Sequence, residues 1–137
     1  MRQPEALNDL LALYSADKLL VIKLDVTERD EVSSAFAKAR EVFGRVDIVL
    51  GNAGYGLLAE VEGTSEEEAR GIFEVNFWGA VNVTKEAVAF FREYNHPIGG
   101  RLINVSSLLG VVASPLAGFY TATKFGKPPK HRPFNHL

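Results

Sequence analysis

Apolar side chains at Leu7, Leu10, Leu11 and Tyr14 recur with the spacing of one helical face, and Pro4 is tolerated in the first turn of such a helix. Residues 19–26, LLVIKLDV, are branched and almost wholly apolar, the pattern of a strand buried in a parallel sheet. Thr27 then offers a helix cap, with Asp30 three residues on, ahead of a stripe of Val32, Phe36, Ala39 and Phe43 that stops at Gly44. A second apolar strand covers 46–50 and runs into Gly51, Asn52, Ala53 and Gly54. Thr64, Ser65, Glu66, Glu67 and Glu68 open a long helix whose periodicity reaches about Tyr94, with an interruption near Asn76 or Gly79. A loop at 96–100 leads to a third strand over 102–105, closed by Ser106 and Ser107, and a last helix begins near Tyr120. This alternation predicts an α/β fold with strands near 19–25, 46–51 and 101–106 in one parallel sheet and helices on both faces. Binding groups in such sheets collect at the carboxyl ends of the strands, where Asp25, Asn52, Ser106 and Ser107 stand.

A chain of 137 residues favours one domain. Apolar residues make up 47% and charged residues 23%, which argues against disorder over most of its length. The pattern breaks after Gly126: Lys127, Pro128, Pro129 and Pro133 forbid continued helix, so 1–126 reads as the domain and 127–137 as a disordered tail. The balance of 15 basic and 17 acidic residues gives a net charge of -2, with no overall pull toward nucleic acid or anionic lipid. The absence of Cys excludes disulfides, thiolate catalysis and Cys-ligated metals, and His131 and His136 have no ligand-like neighbours, so no metal is expected. No apolar run approaches the ~18–20 residues of a membrane span. The N-terminus lacks the design of a signal peptide, so a soluble, cytoplasmic chain with no membrane partner is expected.

The chemistry concentrates near the last helix. Tyr120 and Lys124 are four residues apart and share a helical face. A cation beside a phenol favours the phenolate, which turns a poor acid/base at neutral pH into a usable one. A surface Tyr and Lys one turn apart is the competing reading. Ser107, thirteen residues before Tyr120, ends a strand, where a hydroxyl can donate to a substrate carbonyl oxygen. A turn or helix cap is its plainer role.

Taken together, Asp25, the run Asn52-Ala53-Gly54, Asn76, the run Asn104-Val105-Ser106-Ser107 and the run from Tyr120 to Lys124 resemble the short-chain dehydrogenase/reductase family in order and spacing over about residues 2–126. The resemblance implies an incomplete Rossmann-like, doubly wound, three-layer fold. It implies NAD(P)-dependent hydride transfer on a small alcohol or carbonyl. Tyr120 is then the acid/base, Ser107 polarises the substrate oxygen, Lys124 tunes Tyr120 and bonds the nicotinamide ribose, and Asn76 holds a water leading from Lys124 to solvent. Asp25 meets the adenine amino group, and Asn52, Ala53 and Gly54 lie under the adenosine ribose. In the family, the long helix within 65–94 contributes to a homo-oligomer interface.

Two family parts are not found. The glycine-rich turn that holds the cofactor pyrophosphate, with its first strands, is not in the sequence, and the C-terminal strands are replaced by the tail. The chain is therefore expected to be truncated at both ends, to bind cofactor weakly, and to leave a gap beside 19–25 or re-pair its strands. Arg2 matches the place where an Arg suits the 2′-phosphate of NADP, which puts NADP ahead of NAD. A catalytically silent fragment that associates with longer relatives is the alternative reading.

Overall fold

The computed structural model describes residues 3–126. Arg2 and the tail at 127–137 lie outside the described residues. Pro4–Leu7 forms a tight 3-10 turn that feeds α1 (Asn8–Leu13), as the N-terminal periodicity predicts. Next come α2 (Arg29–Phe43), β1 (Ile48–Gly51), α3 (Glu66–Phe73), α4 (Ala80–Glu93), β2 (Arg101–Asn104) and α5 (Gly118–Phe125).

Local chemistry accounts for most of these boundaries. Gly44 closes α2 at φ 77°, a left-handed stop. Ser65 caps α3: its Oγ accepts from the Glu68 amide while the Glu68 carboxylate accepts from the Ser65 backbone. The expected interruption of the long helix is a π turn over Glu74–Gly79, which joins α3 to α4. The expected cap at Thr27 is corrected. Glu28 occupies the N-cap of α2 with no side-chain cap bond, because Thr27 instead donates through both its amide and its hydroxyl to Asp25 Oδ1 at 3.0 and 2.9 Å.

Strands β1 and β2 pair in parallel, with Ile48 opposite Arg101 and Gly51 opposite Asn104. Alternation turns Leu102 and Asn104 inward, toward α4, which packs on both strands. Ala87, Phe90, Phe91 and Leu102 form the core, with Phe36, Val46 and Val49 packed against it. Asn95, fully buried, joins the segments that lead into the two strands: it donates to the carbonyls of Val46 and Gly99 at 2.7 and 2.6 Å.

One strand is corrected. Residues 19–25 form no ladder, because among the described residues no strand lies beside them and a cleft separates them from β1. The Rossmann-type parallel pairing stands as an incomplete sheet. Among the described elements only α4 covers it, and Ile48, Leu50 and Ile103 on the opposite face are exposed, Leu50 to 59%.

Candidate active site

The π turn turns Asn76 inward, and its side chain is completely buried. Its Oδ1 accepts from the Tyr55 amide at 2.9 Å, and its Nδ2 donates to the Tyr55 carbonyl at 2.8 Å. The same Nδ2 donates to Thr123 Oγ1 at 3.1 Å, and the Thr123 hydroxyl donates to the Tyr120 carbonyl at 2.7 Å. One amide thus ties the loop leaving β1 to α5. Gly54 is what lets the loop approach: a Cβ there would stand 2.7 Å from Asn76 Oδ1 and 3.6 Å from Lys124 Nζ.

Tyr120 and Lys124 do share a face of α5, with Lys124 Nζ 5.4 Å from the centre of the Tyr120 ring. Lys124 is only 7% exposed, which is unusual for a lysine and argues against a plain surface pair. Ser107 sits at the head of a 3-10 turn over Leu108–Gly110, where its Oγ accepts from the Leu109 amide at 3.2 Å. The plainer role, a cap, is therefore present. As an acceptor in that bond, the hydroxyl keeps its own hydrogen for another partner. This turn packs on α5, and at Gly110 the fit is close enough that a Cβ would stand 3.0 Å from the Lys124 carbonyl oxygen.

The predicted nucleotide-facing residues gather elsewhere along the same loop. A cleft of about 530 Å³ is walled by Asp25 and Val26 on one side and by Leu50, Asn52, Ala53 and Gly54 on the other. Its remaining walls are apolar, from Val32, Phe36, Val49 and Val75 among others. Gly54 is the hinge between this cleft and the Lys124 side. Ser107, Tyr120 and Lys124 do not line the cleft itself.

Sequence reading missed Thr123 and Tyr55 as members of the site. Thr123 shares the buried positions of α5 with Thr121 and Lys124, so nothing in the helix pattern sets it apart. Tyr55 contributes only its backbone to Asn76, so its side chain carries no signal. Asn104 belongs to the run that ends β2, and no spacing in that run indicates its contacts: its Nδ2 donates to Thr84 Oγ1 at 3.3 Å, while its buried Oδ1 lies over Gly51 without a hydrogen-bond partner.

Residues 1–128 match the short chain dehydrogenase family, and the chain belongs to it. An uncharacterized oxidoreductase of Schizosaccharomyces pombe is 47% identical over 108 residues, which cover 79% of this chain and 36% of the relative. The crystal structure of a short-chain dehydrogenase from Streptomyces avermitilis superposes with a TM-score of 0.81 at 33% identity, over 92% of this chain and 45% of that one. An alcohol dehydrogenase from the archaeon Thermococcus sibiricus, complexed with 5-hydroxy-NADP, gives 0.70 at 31% identity, over 77% of this chain and 43% of that one. The chain thus spans less than half the length of each of these proteins. Among the described residues, no helix is long and apolar enough to cross a membrane.

Proposed function

We propose that this chain carries the strand-end and proton-transfer part of an oxidoreductase that moves hydride between a nicotinamide cofactor and a small alcohol or carbonyl. One observation carries the reading: Tyr120 and the buried Lys124 are tied through Thr123 and Asn76 to a loop that also walls the Asp25 cleft. The residues present fit such a cofactor. The cleft offers apolar walls for a base and polar groups at its rim, and Gly54 leaves open the space a side chain would fill beside Lys124. The bound nicotinamide supplies or accepts the hydride.

The chain's own groups do the rest. In reduction, Tyr120 gives its hydroxyl proton to the substrate oxygen; in oxidation it takes that proton back. Ser107 donates to the same oxygen, with the hydrogen that its bond to Leu109 leaves free. The Lys124 ammonium faces the ring on which negative charge develops and offers its N–H groups to a ribose. Asn76 commits both N–H groups and one lone pair to Tyr55 and Thr123, which leaves one lone pair for a water beside Lys124. Asp25, Asn52, Ala53 and Gly54 orient the adenosine half. NADP is preferred over NAD on the strength of Arg2.

Copies of the chain are proposed to associate through the 65–94 helix, whose Trp78 is 50% exposed beside Phe73 and Phe119. Sedimentation velocity on the Trp78→Arg variant tests this: unchanged association would remove that face from the interface. The bare face of the sheet favours a second reading, a silent fragment that pairs with a longer relative. Turnover by the isolated chain supports the enzyme; co-purification with a relative without turnover supports the fragment.

The residue assignments are tested in a chain of the relatives' length, by nicotinamide absorbance. Tyr120→Phe should nearly abolish turnover and leave cofactor binding largely intact. Lys124→Ala should impair both, and Ser107→Ala should lower turnover by about 10²–10³. Near-normal turnover of Tyr120→Phe would refute the scheme.

A further inference from the structure

Residues 19–25 have no ladder to hold them, yet Asp25 must stand at a fixed place for the cleft to have a defined wall. Its support comes from helices. The Asp25 amide donates to Glu31 Oε2 on α2 at 2.7 Å, and Asp25 Oδ1 collects the Thr27 amide and hydroxyl. Thr27 belongs to the same turn, and Glu31 to the first turn of α2. A link to α4 is Asn82, whose Nδ2 donates to the Val26 carbonyl at 3.1 Å and reaches the Thr27 carbonyl at 3.5 Å. Gly79, three residues earlier on the same face, seats the Val26 side chain so closely that a Cβ there would lie 2.5 Å from Val26 Cγ2. One turn further on, Glu86 accepts from Ser33 Oγ at 2.9 Å and joins α4 to α2.

We infer that Asn82 is a positioning residue for nucleotide binding: by holding the carbonyls of Val26 and Thr27, it fixes Asp25 opposite Asn52 across the cleft. This rests on the reading of that cleft as the nucleoside site. Asn82 does not line the cleft, so it acts through the turn and not by contact with the ligand. The hydrogen bonds lost with its amide are of the neutral kind, so its removal should weaken binding about fivefold without unfolding the chain.

The test is a titration of the isotope-labelled 137-residue chain with adenosine 5′-monophosphate, followed by amide NMR shifts, alongside a thermal unfolding scan. The wild-type chain should show saturable shifts at Asp25 and at residues 52–54. Asn82→Ala should raise the dissociation constant about fivefold while the chain stays folded, its unfolding midpoint lowered by only about a few degrees. In the Asp25→Asn background the same change should add nothing, because a residue that acts through Asp25 is coupled to it. Asn82→Asp keeps the shape and replaces the donor by an acceptor, so it should lose at least as much, and it replaces the alanine variant if that one unfolds. If the wild-type chain shows no saturable response, the nucleoside reading falls and this inference with it. If the wild type binds while both Asn82 variants bind as well, or if their losses simply add to that of Asp25→Asn, only the positioning role is overturned.

Discussion

A methyl group at Gly54 has nowhere to go. It would press on Asn76 Oδ1 and so on the bond by which that oxygen holds the Tyr55 amide. Gly54→Ala should therefore destabilise the chain by about 1–3 kcal/mol, the usual cost of forced overpacking, as read in urea unfolding. It should also loosen α5, since Asn76 is the partner of Thr123. An unchanged midpoint would mean that the loop yields freely. At this scale legibility depended on distance along the chain. Tyr120 and Lys124 lie one turn apart, so periodicity alone put them on one face. Thr123 meets Asn76 across 47 positions, and Tyr55 meets it across 21; no spacing rule reaches that far.

Elements whose boundaries are set by neighbouring residues were the legible ones. Ser65 with Glu68, and Gly44, mark helix ends through bonds made within one turn. The strand at 19–25 failed for the opposite reason: apolar branched residues make a strand only where another strand stands beside them. The capping box has a pH signature. The Glu68 carboxyl is held below its ordinary value of 4.5, first by the Ser65 side chain and then by the Ser65 backbone amide. A lowered carboxyl value favours the folded form above the unfolded value, and that support is lost as pH falls through the lower folded value. The start of α3 should thus fray as the pH falls through the lowered value, beneath the ordinary 4.5. Helical content followed by circular dichroism should show this step in the wild type and lack it in Glu68→Gln; the same step in both would assign it to another carboxylate.

Among the described residues the molecule is a two-stranded sheet with α4 on one side, and its cohesion should be uneven. Amide exchange should be slowest in α4 and β2, which share the core of Phe90, Phe91 and Leu102, and fast across 19–25, which lacks ladder bonds. Equal, strong protection of 19–25, β1 and β2 in a monomer would contradict that gradient. The uncovered face of Ile48, Leu50 and Ile103 has a colloidal consequence as well. With a net charge of -2 and an isoelectric point near 5.9, copies of the chain repel one another only feebly at neutral pH, and least of all in mild acid. The stickiness of that face is therefore governed by acidity and salt: raising the pH adds mutual repulsion that keeps the faces apart, while approaching the isoelectric point lets them meet.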